Sequence, residues 1–260
     1  MDYGLLARHC AERVKQYLDL PVCLATDTHD DSAVFDTVID TGDSQFQSGY
    51  RRLHNGSNQS HTVAFNNYTR TQAYQLTPYD KTLVLDVDYV IANNILAECF
   101  SSGADFLVYK NSAHISGHCN QEYFRLHDRG ITFRWATVMY FEKTRRVKML
   151  FDLAKHVQQN YNYYRLLYGI EHGKVLRNDF VFSIAVHILN GFVSSSWPAE
   201  PPGKMLYSAD TDMIHQITDD CFTLMLEKQH RPGSYTLAKT QGLNVHLMNK
   251  LSLQHNLGVQ

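Results

Sequence analysis

Apolar positions in the first twenty residues recur at helical spacing. In YGLLARHCAERVKQYLDL, Leu6, Cys10, Val14 and Leu18 fall on one stripe, which predicts an amphipathic helix. PVCLAT follows as a short apolar strand that breaks at Asp27, and FDTVID repeats the strand pattern as far as Asp40. RRLHNGSNQSH is polar enough to predict an exposed loop. A helix is expected from Asn66 to Leu76, a turn at Pro78 and Asp80, and then a strand through Leu83, Val84 and Leu85. NNILAECF reads as helix, and ADFLVYK and ITFRWATVMYF as strands. TRRVKMLFDLAKHVQQNYNYYRLLY reads as one long amphipathic helix with Val147, Leu150, Phe151 and Ala154 on its apolar face. RNDFVFSIAVHILNG is a further helix, SSSWPAEPPGK breaks the pattern, and a less regular segment begins at about residue 194, within which HQITDDCFTLML resembles a helix start. Strands alternating with helices predict an α/β fold with a mainly parallel sheet. The 260 residues fit one domain of that kind.

The formal charge of -2 is spread along the chain without a block of one sign, which gives no general nucleic-acid footprint. Five cysteines (Cys10, Cys23, Cys99, Cys119 and Cys221) are odd in number and irregularly spaced, the usage of reduced thiols rather than of a disulfide frame, and no CxxC zinc spacing occurs. With no signal-peptide pattern and no apolar run of membrane-spanning length, the expectation is a soluble cytoplasmic protein, in a host's cytoplasm if the gene is phage-borne.

The chemistry concentrates in LVLDVDYVIANN. Asp86 and Asp88 follow an apolar strand directly, although strands disfavour aspartate. Two positions apart at a strand's C-terminal end, where open α/β sheets gather ligands, both carboxylates can turn toward one point and suit a hard divalent cation. Simple turn capping produces the same pair of residues, so the motif gains weight only from its surroundings: the apolar strand before it, the turn PYD, and Asn93 and Asn94 after it.

With those surroundings the segment resembles the strand-end metal motif of nucleotide-sugar glycosyltransferases of the GT-A fold. NNYTRTQAYQLTPYDKTLVLDVDYVIANN, ITFRWATVMYFEKT, VLRNDFVFSIAVHI and GLNVHLMNKLSL together resemble glycogenin-like, family-8 transferases and their small phage or bacterial relatives. The resemblance implies a three-layer α/β/α GT-A-like domain over residues 1–260. It implies a Mn²⁺ or Mg²⁺ ion held by Asp86, Asp88 and His246, and a nucleotide-sugar donor, a UDP-sugar by preference, bound near Arg70, Asp86, Lys250 and Trp135. Asp179 becomes the catalytic or sugar-positioning carboxylate, and transfer proceeds with retention; the acceptor (glycan, protein, small molecule or modified base) is left open. The family usually opens with a strand that holds the nucleotide base, whereas this chain opens with a helix.

Two other readings stand beside this one. DVDYV also fits the nucleophile motif of haloacid-dehalogenase-type phosphatases, with Asp86 attacking phosphate and Asp219 and Asp220 as the second acidic pair. A degenerate, non-catalytic module that binds nucleotide or glycan is the other.

Overall fold

Asp2 starts the first helix by accepting a hydrogen bond from Leu5 N at 2.9 Å, the usual work of an N-cap carboxylate. The helix, α1 (Tyr3–Leu18), buries the predicted stripe of Leu6, Cys10, Val14 and Leu18. It belongs to a computed structural model that describes residues 1–42, 49–56, 59–65, 69–117, 124–126, 130–170 and 175–258. Two short parallel strands follow, β1 (Cys23–Thr26) and β2 (Thr37–Asp40), as their apolar runs predict.

The expected loop RRLHNGSNQSH is instead an antiparallel hairpin of β3 (Gly49–His54) and β4 (Ser60–Phe65). Gly56, after Asn55, has φ 68°, a conformation strained for other residues, and a Cβ there would lie 2.8 Å from the Tyr235 hydroxyl, so the turn favours glycine. The helix expected from Asn66 to Leu76 is reduced to a 3-10 turn (Thr69–Gln72) and α2 (Ala73–Leu76); residues 66–68 lie outside the described residues. NNILAECF likewise forms a 3-10 helix, Ile95–Ser101.

Three strands make the sheet behind the Asp-x-Asp segment, in the order β5 (Lys81–Leu85), β9 (Trp135–Glu142), β7 (Phe106–Tyr109), and β9 runs antiparallel to both neighbours. Alternation lets β9 serve two cores, and a register shift near its start places Ala136 on the face of Met139 and Trp135 on that of Val138. Ala136, Met139 and Phe141 pack under α3 (Arg145–Gln159) and α5 (Asn178–Leu189). Trp135, Val138 and Tyr140 face the other way, onto α1 and a second sheet. The long predicted helix ends at Asn160 and continues as α4 (Tyr161–Leu167).

The second sheet has the order β6 (Tyr89–Val90), β14 (Val245–Leu247), β10 (Met205–Ser208), β8 (Ser112–His114). The segment beyond residue 194, expected to be less regular, also carries an antiparallel sheet of β11 (Met213–Ile217), β12 (Cys221–Glu227) and β13 (Tyr235–Gln241), and ends in α6 (Lys250–Gly258). HQITDDCFTLML is two strands and their turn, not a helix start; Phe222, Leu224 and Leu226 alternate inward.

The class is therefore mixed α/β, and the single mainly parallel sheet is not what forms. Parallel pairing needs crossover connections of a dozen or more residues, whereas the short links β3–β4, β11–β12 and β12–β13 allow only antiparallel hairpins. Among the described residues no helix is long and apolar enough to cross a membrane. Cys10, Cys23, Cys99 and Cys221 are free thiols; Cys119 lies outside the described residues.

Candidate functional site

The chain leaves β5 through a tight turn. Asp86 N still donates to Thr137 O of β9 at 2.9 Å, and Asp86 O then accepts from Tyr89 N at 3.0 Å, closing the turn Asp86–Val87–Asp88–Tyr89. This reversal answers why two aspartates end an apolar strand: it turns both carboxylates to the same end of the sheet. Asp88 is pinned there because its carbonyl accepts from Leu247 N of β14 at 2.9 Å. That bond brings His246 alongside, on a strand held between β6 and β10.

One ligand atom each from Asp86, Asp88 and His246 lies within 4.8 Å of the others. Asp88 is 1% exposed, and its Oδ2 is hydrogen-bonded to His246 Nε2 at 3.1 Å and ion-paired to Lys250 Nζ. Among the described residues its Oδ1 has no hydrogen-bond partner, and neither does His246 Nδ1. Burial works to raise the Asp88 pKa, but Lys250 and His246 outweigh it and hold the carboxyl well below the usual range. Asp86 is more open and pairs with Arg70, whose guanidinium also donates to Ala136 O. Behind the turn, the Cys10 thiol approaches Asp86 O and Tyr89 O at 3.9 and 3.8 Å; burial, then the charges of Asp88 and Asp86, push it up to about 12, so it stays protonated.

These groups open onto a cleft of about 1330 Å³ that Arg70, Asp86, Asp88, Asp179, His246 and Lys250 all line. Asp179, in the first turn of α5, accepts from Ala136 N at 2.9 Å through Oδ1 and pairs with Arg177 Nη2 at 2.9 Å through Oδ2. Trp135 also lines the cleft, but as a buried wall, stacked on Tyr207 and edge-on to His246 at 6.0 Å. The cleft's other walls include α1, β1 and β5, and the outer edges of both strands have no strand partner among the described residues. Thr82, Leu83, Val84 and Leu85 are accordingly only half-buried, although a continuous apolar run is the pattern of a strand covered on both sides.

All the residues named for the transferase reading therefore border one cleft, with two qualifications. Lys250 neutralises Asp88 rather than standing free, and both Asp179 oxygens are already engaged. Two participants were not singled out: Arg177, which orients Asp179, and Cys10, which seats the turn. RND carried the first signal in plain view; the second had none, since a helix cysteine on an apolar stripe reads only as core. Asp219 and Asp220 do not reach the cleft: they form the β11–β12 turn, where Asp219 O accepts from Tyr17 Oη at 2.7 Å and Asp220 Oδ2 from Gln241 Nε2 at 3.3 Å. Comparison of the chain with protein-family models, with curated proteins and with solved structures finds no match.

The residues fit a divalent cation. Two carboxylates and an imidazole suit Mn²⁺ or Mg²⁺, and the buried Asp88 Oδ1 and His246 Nδ1 are polar atoms left without partners.

Proposed function

We infer that the chain is a metal-dependent glycosyltransferase that takes a sugar from a nucleotide-sugar donor, a UDP-sugar by preference, in the manner of the GT-A transferases it resembles. The observation that carries this reading is the convergence of Asp86, Asp88 and His246 within 4.8 Å at the edge of a cleft large enough for a nucleotide sugar. A divalent cation bound there would offset the charge that develops on a departing diphosphate. Around it Arg70, and Lys250 once released from Asp88, would bind the diphosphate as cations, while Asp179, held by Arg177 and Ala136 N, positions the sugar. Trp135 supports His246 from behind. Retention of configuration and the GT-A topology rest on the resemblance.

A non-catalytic module that binds nucleotide or glycan is the second reading, and one observation favours it: Arg70 and Lys250 already neutralise both carboxylates without an ion. The phosphatase reading has less support, because Asp219 and Asp220 lie outside the cleft.

Thermal melting with UDP separates these. With Mn²⁺ present, UDP at about a hundred times its dissociation constant should stabilise the protein by about 2.7 kcal/mol, and EDTA should remove the effect. Equal stabilisation in Mn²⁺ and in EDTA would sink the metal-dependent reading and leave the binding module. Release of the sugar from the UDP-sugar in Mn²⁺ separates enzyme from module.

A further inference from the structure

Further along α5, on the helical face that carries Asp179, lies a second cavity, of about 580 Å³, a size that suits a small molecule. Arg134 lines it. This residue immediately precedes β9 and is 6% exposed, and its Nη1 is buried without a hydrogen-bond partner among the described residues. A guanidinium nitrogen in that state is unfavourable, since burial strips its water while nothing takes up its hydrogens. Desolvation accordingly lowers the Arg134 pKa, and the charge that opposes this, Glu200, is spent elsewhere: its carboxylate accepts from Lys110 N, Asn111 N and Asn111 Nδ2 at 3.1 to 3.3 Å.

The other walls are of one character. Arg125, His187, Thr132 and Ser194 also line the cavity, and no carboxylate does so among the described residues. The C-terminal end of α5 borders it too, but its carbonyls are capped: Asn190 N, Gly191 N and Phe192 N donate to Val186, Ile188 and His187 O at 2.9 to 3.0 Å. Val186, His187 and Ile188 therefore do not present open acceptors that would compete for Arg134.

We propose that this cavity binds a small organic anion, through a carboxylate or phosphate group that receives the unpartnered Nη1 of Arg134, with Arg125 at the mouth. A forked, permanently charged donor is the side chain that best matches either oxyanion. The site is separate from the metal cleft but not remote from it. Arg134 N donates to Ser183 Oγ at 2.8 Å, and Ser183 Oγ donates to Asp179 O at 2.6 Å, so one turn of α5 joins the two.

The test is calorimetric titration and thermal melting of the full chain in EDTA with phosphate, acetate and citrate, at ionic strength held constant with chloride. Phosphate, or one of the two carboxylates, is expected to bind saturably where chloride does not; which of them binds assigns the ligand's head group. Arg134→Met should weaken that binding at least tenfold and raise the anion-free melting temperature, because an unpartnered buried charge has been removed. A merely structural arginine would lower it. Arg134→Lys keeps the charge without the fork, should fold if the methionine variant does not, and should weaken binding several-fold. Arg70→Gln, altered in the other cleft, should bind as wild type does. Absence of saturable binding by all three anions, or binding that both Arg134 variants leave unchanged, or loss of binding in Arg70→Gln, overturns the proposal.

Discussion

Two buried aspartates in this protein each hold a histidine, and they are used differently. Asp212, 3% exposed, accepts from His114 Nε2 at 2.7 Å and from Ala209 N and Glu227 N at 2.8 Å, so both its oxygens are occupied. His114 in turn has Ser116 Oγ at 2.6 Å on its second nitrogen. Asp88 gathers His246 and Lys250 on one oxygen and leaves the other bare, and the second nitrogen of His246 is bare as well. The first arrangement is a clasp that ties β8 to the turn before β11 and to the end of β12. The second has coordination capacity left over at the edge of a large cleft. A buried acceptor without a donor costs free energy, so the bare oxygen of Asp88 is open to a water or a cation that would supply the missing partner.

The strongest way to break this comparison is Lys250→Met. It leaves Asp88 buried with its principal counter-charge gone, and in EDTA the variant should lose about 3–5 kcal/mol of stability in chemical denaturation. Mn²⁺ should restore part of that loss, because a cation can take over the neutralisation. Full stability in EDTA would mean that Asp88 does not depend on Lys250, and a loss that Mn²⁺ leaves untouched would mean that the spare oxygen takes no ion.

Acid sharpens the comparison by separating Asp88 from other titrations. His9 on α1 is pushed down from 6.5 to about 4, first by burial and then by Arg13, and is neutral in the fold. The unfolded chain takes up the proton first as pH falls, so stability is lost between pH 6.5 and about 4, by about 3 kcal/mol at 1.36 kcal/mol per pKa unit. Asp88 has the opposite history: its folded pKa is depressed, so its contribution is complete above the unfolded value of 3.8 and is lost only as pH falls below it. Stability measured against pH should therefore fall in two windows. His9→Gln should flatten the upper one alone, and an unaltered upper window would assign it to another group.

How much of this was legible in the sequence depended on distance along the chain. Helices and strands with strong local periods, such as α1, α3 and the apolar run into Asp86, were read correctly as elements. Hairpins were missed where polar composition masked a turn signal: Asn55-Gly56 is the commonest kind of hairpin dipeptide, yet its neighbours suggested a loop. In CFTLMLE the period of two was present in Phe222, Leu224 and Leu226, but Asp219 and Asp220 in front of it looked like a helix cap. His246 lies 158 residues from Asp88, and no spacing rule reaches that far; the resemblance supplied it. That Lys250 would be buried against Asp88 depends on which strand lies beside which, information that exists only after β14 has paired with β6 and β10. The pairing of His114 with Asp212 is hidden for the same reason, the two being 98 residues apart.

The finest discrimination comes from substituting each histidine in turn. His246→Gln removes an imidazole whose Nε2 holds Asp88 and whose Nδ1 is unpartnered, and it should weaken Mn²⁺-dependent UDP binding by about ten- to a hundredfold, the range found when metal-site partners are replaced. His246 is 6% exposed and already locked in its strand, so the ion-free protein should lose some stability too. His114→Gln should show only this second effect. It loosens one of three bonds to Asp212, a change of about 1–3 kcal/mol for a bond to a charged, buried acceptor, and it should leave UDP affinity in Mn²⁺ unchanged. Calorimetric titration of UDP into both variants, beside their melting curves in EDTA, reads both quantities. If the two variants lose stability alike and neither loses affinity, both pairs are clasps, and the bare oxygen of Asp88 has no ligand to explain it.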